Sequence, residues 1–224
     1  SFPNSDQAPY AMYLIALLDP NPEAMIENLS TLIRKYPHSY WAQQASLKLG
    51  ELFYAKGKYA LALEQFLHYA RNNPEGTYAI QSRINIALCL MRQGKYDKAV
   101  VLLKTMLLHS NDAKQSPEVY DALSECFIET DRFKEAQKIL QFIMRKFPEY
   151  SQIPRIYMNY GLVAEMLNDT STAIKMYEKV IDSYPESSQR ELAIQRLKDL
   201  RTPLLLARSD ESTTLTLPSL QSLK

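Results

Sequence analysis

The sequence YAKGKYALALEQF, residues 54–66, decides the fold because it returns as MRQGKYDKAVVLL at residues 91–103. Two further copies, IETDRFKEAQKIL at 128–140 and EMLNDTSTAIKMY at 165–177, keep the same step of 37 residues. No insertion interrupts the four copies. A fixed step of this kind is typical of a repeat architecture, in which every copy is one structural unit.

Each copy is predicted to hold a helix end, a short turn and the start of a second helix. The turn position contains residues that tolerate the left-handed conformation after a helix, namely Gly57, Gly94, Asp131 and Asn168. A small residue lies five positions later, namely Ala62, Ala99, Ala136 and Ala173. Four residues further, on the same helical face, lie Phe66, Leu103, Leu140 and Tyr177. A second small position precedes the turn and contains Gly50, Ala87, Ser124 and Gly161. We expect these small residues to let paired helices approach closely.

Proline follows the second helix in three units and stops it, because proline lacks the amide donor and clashes with the preceding turn. These residues are Pro74, Pro148 and Pro185. The second unit has Asn111 at this position instead. There the loop SNDAKQSP, residues 110–117, is predicted to separate the units, with Ser116 as the cap and Pro117 as the first residue of the next helix.

The same pattern divides the whole chain into an all-α solenoid and a tail. We predict the solenoid over residues 1–201, made of a degenerate repeat at 6–39, repeats at 43–76, 80–113, 117–150 and 154–187, and a capping helix at 187–201. A terminal helix with a charged outer side keeps the last apolar surface of a stack from solvent. Residues 202–224 lack a sustained period and are rich in Ser and Thr, so we expect a mobile tail or a docked extension there.

Composition disfavours several classes of partner. The 224 residues carry a formal net charge of +1, with acidic and basic residues spread together along the chain, so we expect no nucleic-acid partner. The longest apolar run, AMYLIALL at 11–18, is too short to cross a bilayer. The first residue is Ser1, and we expect any signal peptide or lipid anchor to precede it.

No residue pattern indicates catalysis, a metal site or a cofactor. Gly57 and Lys58 lack the flanking residues of a phosphate-binding loop, and the sequence has no GxSxG motif. Cys89 and Cys126, also 37 residues apart, fit buried packing positions in successive units, with one disulfide as the alternative. The histidines form no HExxH motif and do not join the cysteines at ligand spacing; they are His38, His68 and His109.

The pattern resembles the tetratricopeptide repeat over residues 43–186. It is carried by a small residue, an aromatic, a turn glycine, an alanine, a second aromatic and a closing proline, which here are Gly50, Phe53, Gly57, Ala62, Phe66 and Pro74. The sequence departs from the family in Asn111, in Thr170 and in its longer period, since the common form has about 34 residues. The period and the long entry to each unit resemble a bacterial envelope subgroup, which includes the lipoprotein of the outer-membrane barrel-assembly complex and the coordinator of the Tol-Pal system.

This resemblance implies a right-handed superhelix of helix pairs, whose first helices line a concave groove for a partner segment. Carried over by position, the groove-facing candidates are Gln44, Leu47, Lys48, Glu51, Tyr54, Gln81, Ile84, Asn85, Leu88, Met91, Glu118, Asp121, Glu125, Ile128, Arg155, Met158, Asn159, Leu162 and Glu165. The alternative for each is a solvated helix face. The acidic third unit would suit a segment with apolar anchors and some basic residues. Leu47 and Glu51 stand where some relatives have the Lys and Asn that clamp a free C-terminal carboxylate, so we do not expect that mode here.

The resulting hypothesis is a non-enzymatic adaptor that binds another protein within a bacterial cell-envelope complex, in the periplasm or at the inner face of the outer membrane. The second hypothesis is a cytosolic chaperone or adaptor of a secretion apparatus that uses the same groove. The third is self-assembly by repeat stacking, since an end helix could continue the array.

Overall fold

The computed structural model describes the backbone of residues 7–213 and the side chains of residues 7–202. This part of the chain contains twelve helices and no strand. In chain order the helices are α1 (Gln7–Leu18), α2 (Pro22–Lys35), α3 (Tyr40–Ala55), α4 (Tyr59–Asn72), α5 (Ala79–Arg92), α6 (Tyr96–His109), α7 (Asn111–Gln115), α8 (Pro117–Glu129), α9 (Phe133–Lys146), α10 (Ile153–Met166), α11 (Thr170–Ser183) and α12 (Arg190–Thr213).

The predicted turn residues adopt the left-handed conformation. Their φ angles are 71° at Gly57, 71° at Gly94, 54° at Asp131 and 59° at Asn168. After the first of these turns, the N–H of Lys58 donates to the carbonyl oxygen of Phe53 at 2.8 Å. The Gly57 N–H donates to the Tyr54 carbonyl oxygen at 2.9 Å. This pair of bonds satisfies the last carbonyls of a helix, so the turn prediction is confirmed.

Aromatic rings on the second helices explain why two of the positions before the turns hold glycine. A Cβ atom added to Gly50 would lie 2.5 Å from the Phe66 ring, and one added to Gly161 would overlap the ring of Tyr177. Both rings are buried. The four alanines at the other small position, Ala62 among them, are fully buried as well. The close approach predicted for the paired helices is therefore confirmed.

The chain divides into two compact units, Ser1–Thr130 and Asp131–Lys224. In the first unit, consecutive helices pack on one another. One apolar cluster around Leu29, Leu32 and Leu49 joins α1, α2 and α3, while a second around Phe66 and Cys89 joins α4 and α5.

The second unit has its own core. Tyr177 and Val180 from α11 pack with Met158 of α10 and Leu197 of α12. The described outer positions of α12 include exposed charged residues such as Glu191, which suits the capping role predicted for this helix.

Both cysteines are free and buried. Burial raises the pKa of the Cys89 thiol to about 11 and that of Cys126 to about 12. The interpretation of these residues as packing positions is confirmed, and the disulfide alternative is wrong.

Two segments differ from the sequence-based prediction. Asn111–Gln115, inside the predicted loop, forms the five-residue helix α7 because the Ser110 hydroxyl accepts the Ala113 N–H at 3.1 Å and caps a helical turn. The C-terminal helix α12 begins at Arg190 and continues to Thr213, although we predicted a helix that ends at residue 201 and a tail from 202. The prediction for 214–224 lies outside the described residues.

Ser116 and Pro117 are the cap and the first residue of α8, as predicted. The capping itself differs, because the Ser116 hydroxyl donates to the Glu118 carboxylate at 2.7 Å instead of accepting a backbone N–H. Glu118, a predicted groove residue, is thereby engaged within its own helix turn.

Candidate functional site

A cavity of about 290 Å³ lies in the first unit on the side formed by α1, α3 and α5. We call it the first-helix cavity, because these are the first helices of three successive repeats. Its lining residues are Tyr13, Leu17, Gln44, Leu47, Lys48, Glu51, Tyr78, Gln81 and Asn85. Six of the nine were predicted from the sequence as groove residues.

Helical spacing explains why α3 supplies four of these residues. Leu47, Lys48 and Glu51 lie three, four and seven residues after Gln44, so the four share one face of the helix. Gln81 lies one period after Gln44. The 37-residue repeat therefore places an amide side chain at the same position of two neighbouring helices.

Apolar and aromatic side chains form the walls of the first-helix cavity. Leu47 is half-buried against the core, and the Tyr13 ring packs against Trp41 with the ring centres 5.3 Å apart. Tyr78, which caps α5, remains exposed. Burial, followed by the neighbouring Glu51 carboxylate, raises the pKa of the Tyr13 hydroxyl above its ordinary value. This hydroxyl therefore keeps its proton at neutral pH and can donate a hydrogen bond.

The charged groups of the cavity neutralise each other. Lys48 Nζ lies 3.0 Å from Glu51 Oε2, and no other lysine, arginine, aspartate or glutamate lines the cavity. Gln81 Nε2 donates to Asn85 Oδ1 at 3.1 Å. That bond leaves the Gln81 carbonyl oxygen as an acceptor and the Asn85 amide nitrogen as a donor, a pair that matches the donor and acceptor of one peptide group.

Four predicted groove residues are buried within their own units. They are Ile84, Met91, Asp121 and Met158. Three of the four, all except Met91, occupy the repeat position of Leu47. At this position the side chain faces neighbouring helices, and only in the first full repeat is it half-exposed. Burial disfavours a direct contact of these four side chains with a partner, and their groove assignment stays a prediction.

Other predicted groove residues have contacts within the protein. In the second unit Glu165 accepts a hydrogen bond from the Tyr177 hydroxyl, and Arg196 Nη1 lies 3.9 Å from its other oxygen. In the first unit the Tyr54 hydroxyl accepts a hydrogen bond from Arg92 Nε at 3.1 Å. Tyr54 and Glu165 thus stabilise the packing of their own units.

One of the remaining groove candidates, Arg155, lines a separate cavity of about 460 Å³ at the N-terminal end of α10 in the second unit. The assignment of these candidates to a groove stays a prediction. Leu88, Glu125, Ile128, Arg155, Asn159 and Leu162 are all half-buried.

Three residues of the cavity were missed by sequence reasoning. Tyr13 and Leu17 are four residues apart on α1, so helical spacing in the degenerate repeat was a usable signal for both. Tyr78 precedes α5 as its cap residue and carries no helical periodicity. The direction of its ring depends on the loop before α5, which the sequence pattern does not specify.

Sequence models of the tetratricopeptide repeat match residues 26–77, 90–157 and 156–187. Together these matches cover well over half of the chain. The chain belongs to the tetratricopeptide repeat family. Proteins of this family in general mediate contacts between proteins and are not enzymes. No curated protein matches the chain in sequence.

Solved structures share the fold of this tetratricopeptide repeat protein. A tetratricopeptide repeat protein from Parabacteroides merdae has a TM-score of 0.71 at 14% identity, covering 96% of this chain and 81% of its own. PilW, described as a widely conserved type IV pilus biogenesis factor, has a TM-score of 0.68 at 14% identity, with 86% and 84% covered. YrrB, described as having an unusual peptide-binding site, has a TM-score of 0.59 at 17% identity, with 79% and 84% covered. These identities establish the fold alone, and the predicted class of an all-α repeat solenoid is confirmed.

Among the helices described, none is both long and apolar enough to span a membrane.

Proposed function

We propose that this protein is a non-enzymatic adaptor that holds an extended segment of a partner protein in the first-helix cavity. The observation that carries the proposal is the lining itself. Three successive first helices supply tyrosine rings, a leucine wall and side-chain amides around one opening. Aromatic walls bury an apolar anchor side chain, while the amides bind the backbone beside it.

The same lining does not favour an enzyme. Serine, cysteine, histidine and aspartate, which supply most nucleophiles and bases, are absent from the cavity walls. Its lysine and glutamate are paired with each other. The groups that remain can bind and orient a ligand, which is the chemistry of an interaction site.

Capture of the native partner tests the site assignment. We expect the double variant Tyr78→Ala and Gln81→Ala to lose the partner, since it removes one wall and one amide from the cavity. Leu108→Ala, on an exposed position of α6, is the matched control and should retain the partner. Circular dichroism at 222 nm should be the same for all three proteins. Equal capture by the double variant and the control would refute the assignment.

For the cellular setting, we propose a bacterial cell-envelope complex, in the periplasm or at the inner face of the outer membrane. The 37-residue period and the similarity to the envelope subgroup motivate this setting. PilW, a pilus biogenesis factor with the same fold, is compatible with it. Fractionation of cells that express the full-length gene tests the proposal. Recovery with envelope fractions supports it, whereas recovery in the cytosol supports a cytosolic chaperone or adaptor of a secretion apparatus.

A further inference from the structure

The side of α5 that lines the first-helix cavity continues beyond the cavity to an exposed arginine. Four residues spaced by four, three and four positions lie along this side of the helix, and they are Gln81, Asn85, Leu88 and Arg92. Gln81 and Asn85 line the cavity, whereas Arg92 is the last residue of α5 and is exposed. A segment that leaves the cavity toward the end of α5 therefore passes over Leu88 and reaches Arg92.

The Arg92 guanidinium is held in place by the preceding repeat. Its Nε donates a hydrogen bond to the Tyr54 hydroxyl of α3 at 3.1 Å. The Tyr54 ring in turn packs edge-on against the Tyr59 ring of α4, with the ring centres 5.2 Å apart. Because one nitrogen of the guanidinium is already fixed, Arg92 loses less conformational freedom when its other nitrogens bind a ligand.

The terminal nitrogens of Arg92 are available to a ligand. Among residues 7–202, no carboxylate forms an ion pair with Arg92, and neither of its Nη atoms donates a hydrogen bond. Glu125 of α8 influences Arg92 more weakly than the two tyrosines do. Glu129, at the end of α8, accepts a hydrogen bond from the Tyr96 hydroxyl at 3.5 Å. Two free terminal nitrogens of an arginine match the two oxygens of one carboxylate.

Helix and strand geometry give the distance between this arginine and the cavity. Arg92 lies seven residues after Asn85 and eleven after Gln81, which is about 10–16 Å along α5 at about 1.5 Å per residue. An extended segment advances about 3.3 Å per residue, so about three to five of its residues cover this distance.

We propose that Arg92 binds an aspartate or glutamate side chain of the partner segment, about three to five residues from the apolar anchor in the first-helix cavity. The inference rests on the proposed function, because the segment reaches Arg92 by occupying the cavity. A glutamine or asparagine fits less well, since it brings one acceptor oxygen and no charge. The recognised group is a side chain within the segment, so a free C-terminal carboxylate is not required.

Selection of phage-displayed random peptides on the full 224-residue chain tests the proposal. Cavity-dependent peptides are those that Tyr78→Ala combined with Gln81→Ala no longer binds. We expect them to carry Asp or Glu about three to five residues from a large apolar residue. Selection on Arg92→Gln should not enrich this acid. Arg71→Gln, at an exposed arginine of α4, is the matched control and should select the same peptides as the wild type.

A double-mutant cycle on one selected peptide tests the contact itself. Replacing the peptide acid by its amide should weaken binding about tenfold in fluorescence anisotropy, and Arg92→Gln should do the same. The two changes together should cause no further loss, because they remove one contact. Tyr54→Phe removes the hydroxyl that orients Arg92, so it should weaken the acidic peptide about threefold and leave the amide peptide unchanged. Circular dichroism should be the same for all variants.

The outcomes separate this inference from the proposed function. Cavity-dependent peptides without an enriched acid would overturn the inference and leave the proposed function unaffected. Additive losses in the cycle would also overturn it, because Arg92 would then act only through the packing of its own unit. If no selected peptide depended on the cavity, the proposed function would be refuted and the inference with it.

Discussion

Gly50→Ala combined with Phe66→Leu tests the packing rule that joins the two helices of a repeat. In the first and fourth full repeats, glycine lies against an aromatic ring, as Gly50 lies against Phe66. In the second full repeat, the matching positions hold Ala87 and Leu103. The double variant therefore rebuilds in one repeat the pair that the chain already uses in another.

The magnitudes follow from the contact distance. The added Cβ of Gly50→Ala would lie 2.5 Å from the buried Phe66 ring, and such overpacking costs about 1–3 kcal/mol. Alanine is favoured over glycine within a helix by about 0.5–1 kcal/mol. We therefore expect a net loss of about 1–2 kcal/mol in the free energy of unfolding. Phe66→Leu alone leaves a cavity and should cost a similar amount.

Urea unfolding followed by circular dichroism measures the three variants. The double variant should lose less than about 1 kcal/mol, so that the coupling between the two sites is about 1–3 kcal/mol. Slopes of the unfolding transitions should be equal among the variants, which keeps the free energies comparable. The packing rule would be refuted if the double variant lost as much free energy of unfolding as the two single variants together. It would also be refuted if Gly50→Ala were more stable than the wild type.

Three further predictions follow from local structure. Gly57→Ala should lower the free energy of unfolding by about 1–2 kcal/mol, because φ is +71° there and alanine disfavours that conformation. Gly57→Asn should lower it less, because asparagine adopts the left-handed conformation more readily. Chemical denaturation of both variants measures the difference. Cys89 and Cys126 should resist a thiol reagent at pH 8 in the folded protein, because burial raises the pKa of both thiols, and both should react in urea; rapid labelling of the native protein would contradict this. Burial and the Glu165 carboxylate raise the pKa of Tyr177, so the hydroxyl ionises more readily in the unfolded chain and stability should fall as the pH rises above about 10. Tyr177→Phe should show a smaller loss over that alkaline range in pH-dependent melting, and an unchanged alkaline loss would show that Tyr177 is not its source.

The repeat frame was predictable because local sterics decide it. A left-handed turn restricts residue type, so Gly57 and Asn168 could be aligned across repeats without a structure. An aromatic ring on the second helix fills the space that a side chain on the first helix would need, so that position of the first helix must be glycine. Gly50 and Phe66 form such a pair, and Gly161 and Tyr177 repeat it.

The candidate site was only partly predictable, because the 37-residue period identifies matching positions but not their exposure. Leu47 lines the cavity, while Ile84 at the matching position is buried. Asp121, read from the sequence as part of an acidic binding surface, is buried too, so a charge reversal there would test folding rather than binding. Glu165 accepts a hydrogen bond from the Tyr177 hydroxyl. Phe66, at the matching position of the first full repeat, has no hydroxyl to donate.

Photocrosslinking in the native host tests most directly whether the first-helix cavity holds a partner segment. A photoreactive phenylalanine analogue replaces Gln81, which lines the cavity, or Lys138, an exposed residue of α9, in otherwise identical chains. The account predicts a discrete adduct with one protein from position 81, mapping to an extended segment with an apolar anchor, and no such adduct from position 138. No adduct from position 81, or the same adducts from both positions, would contradict it.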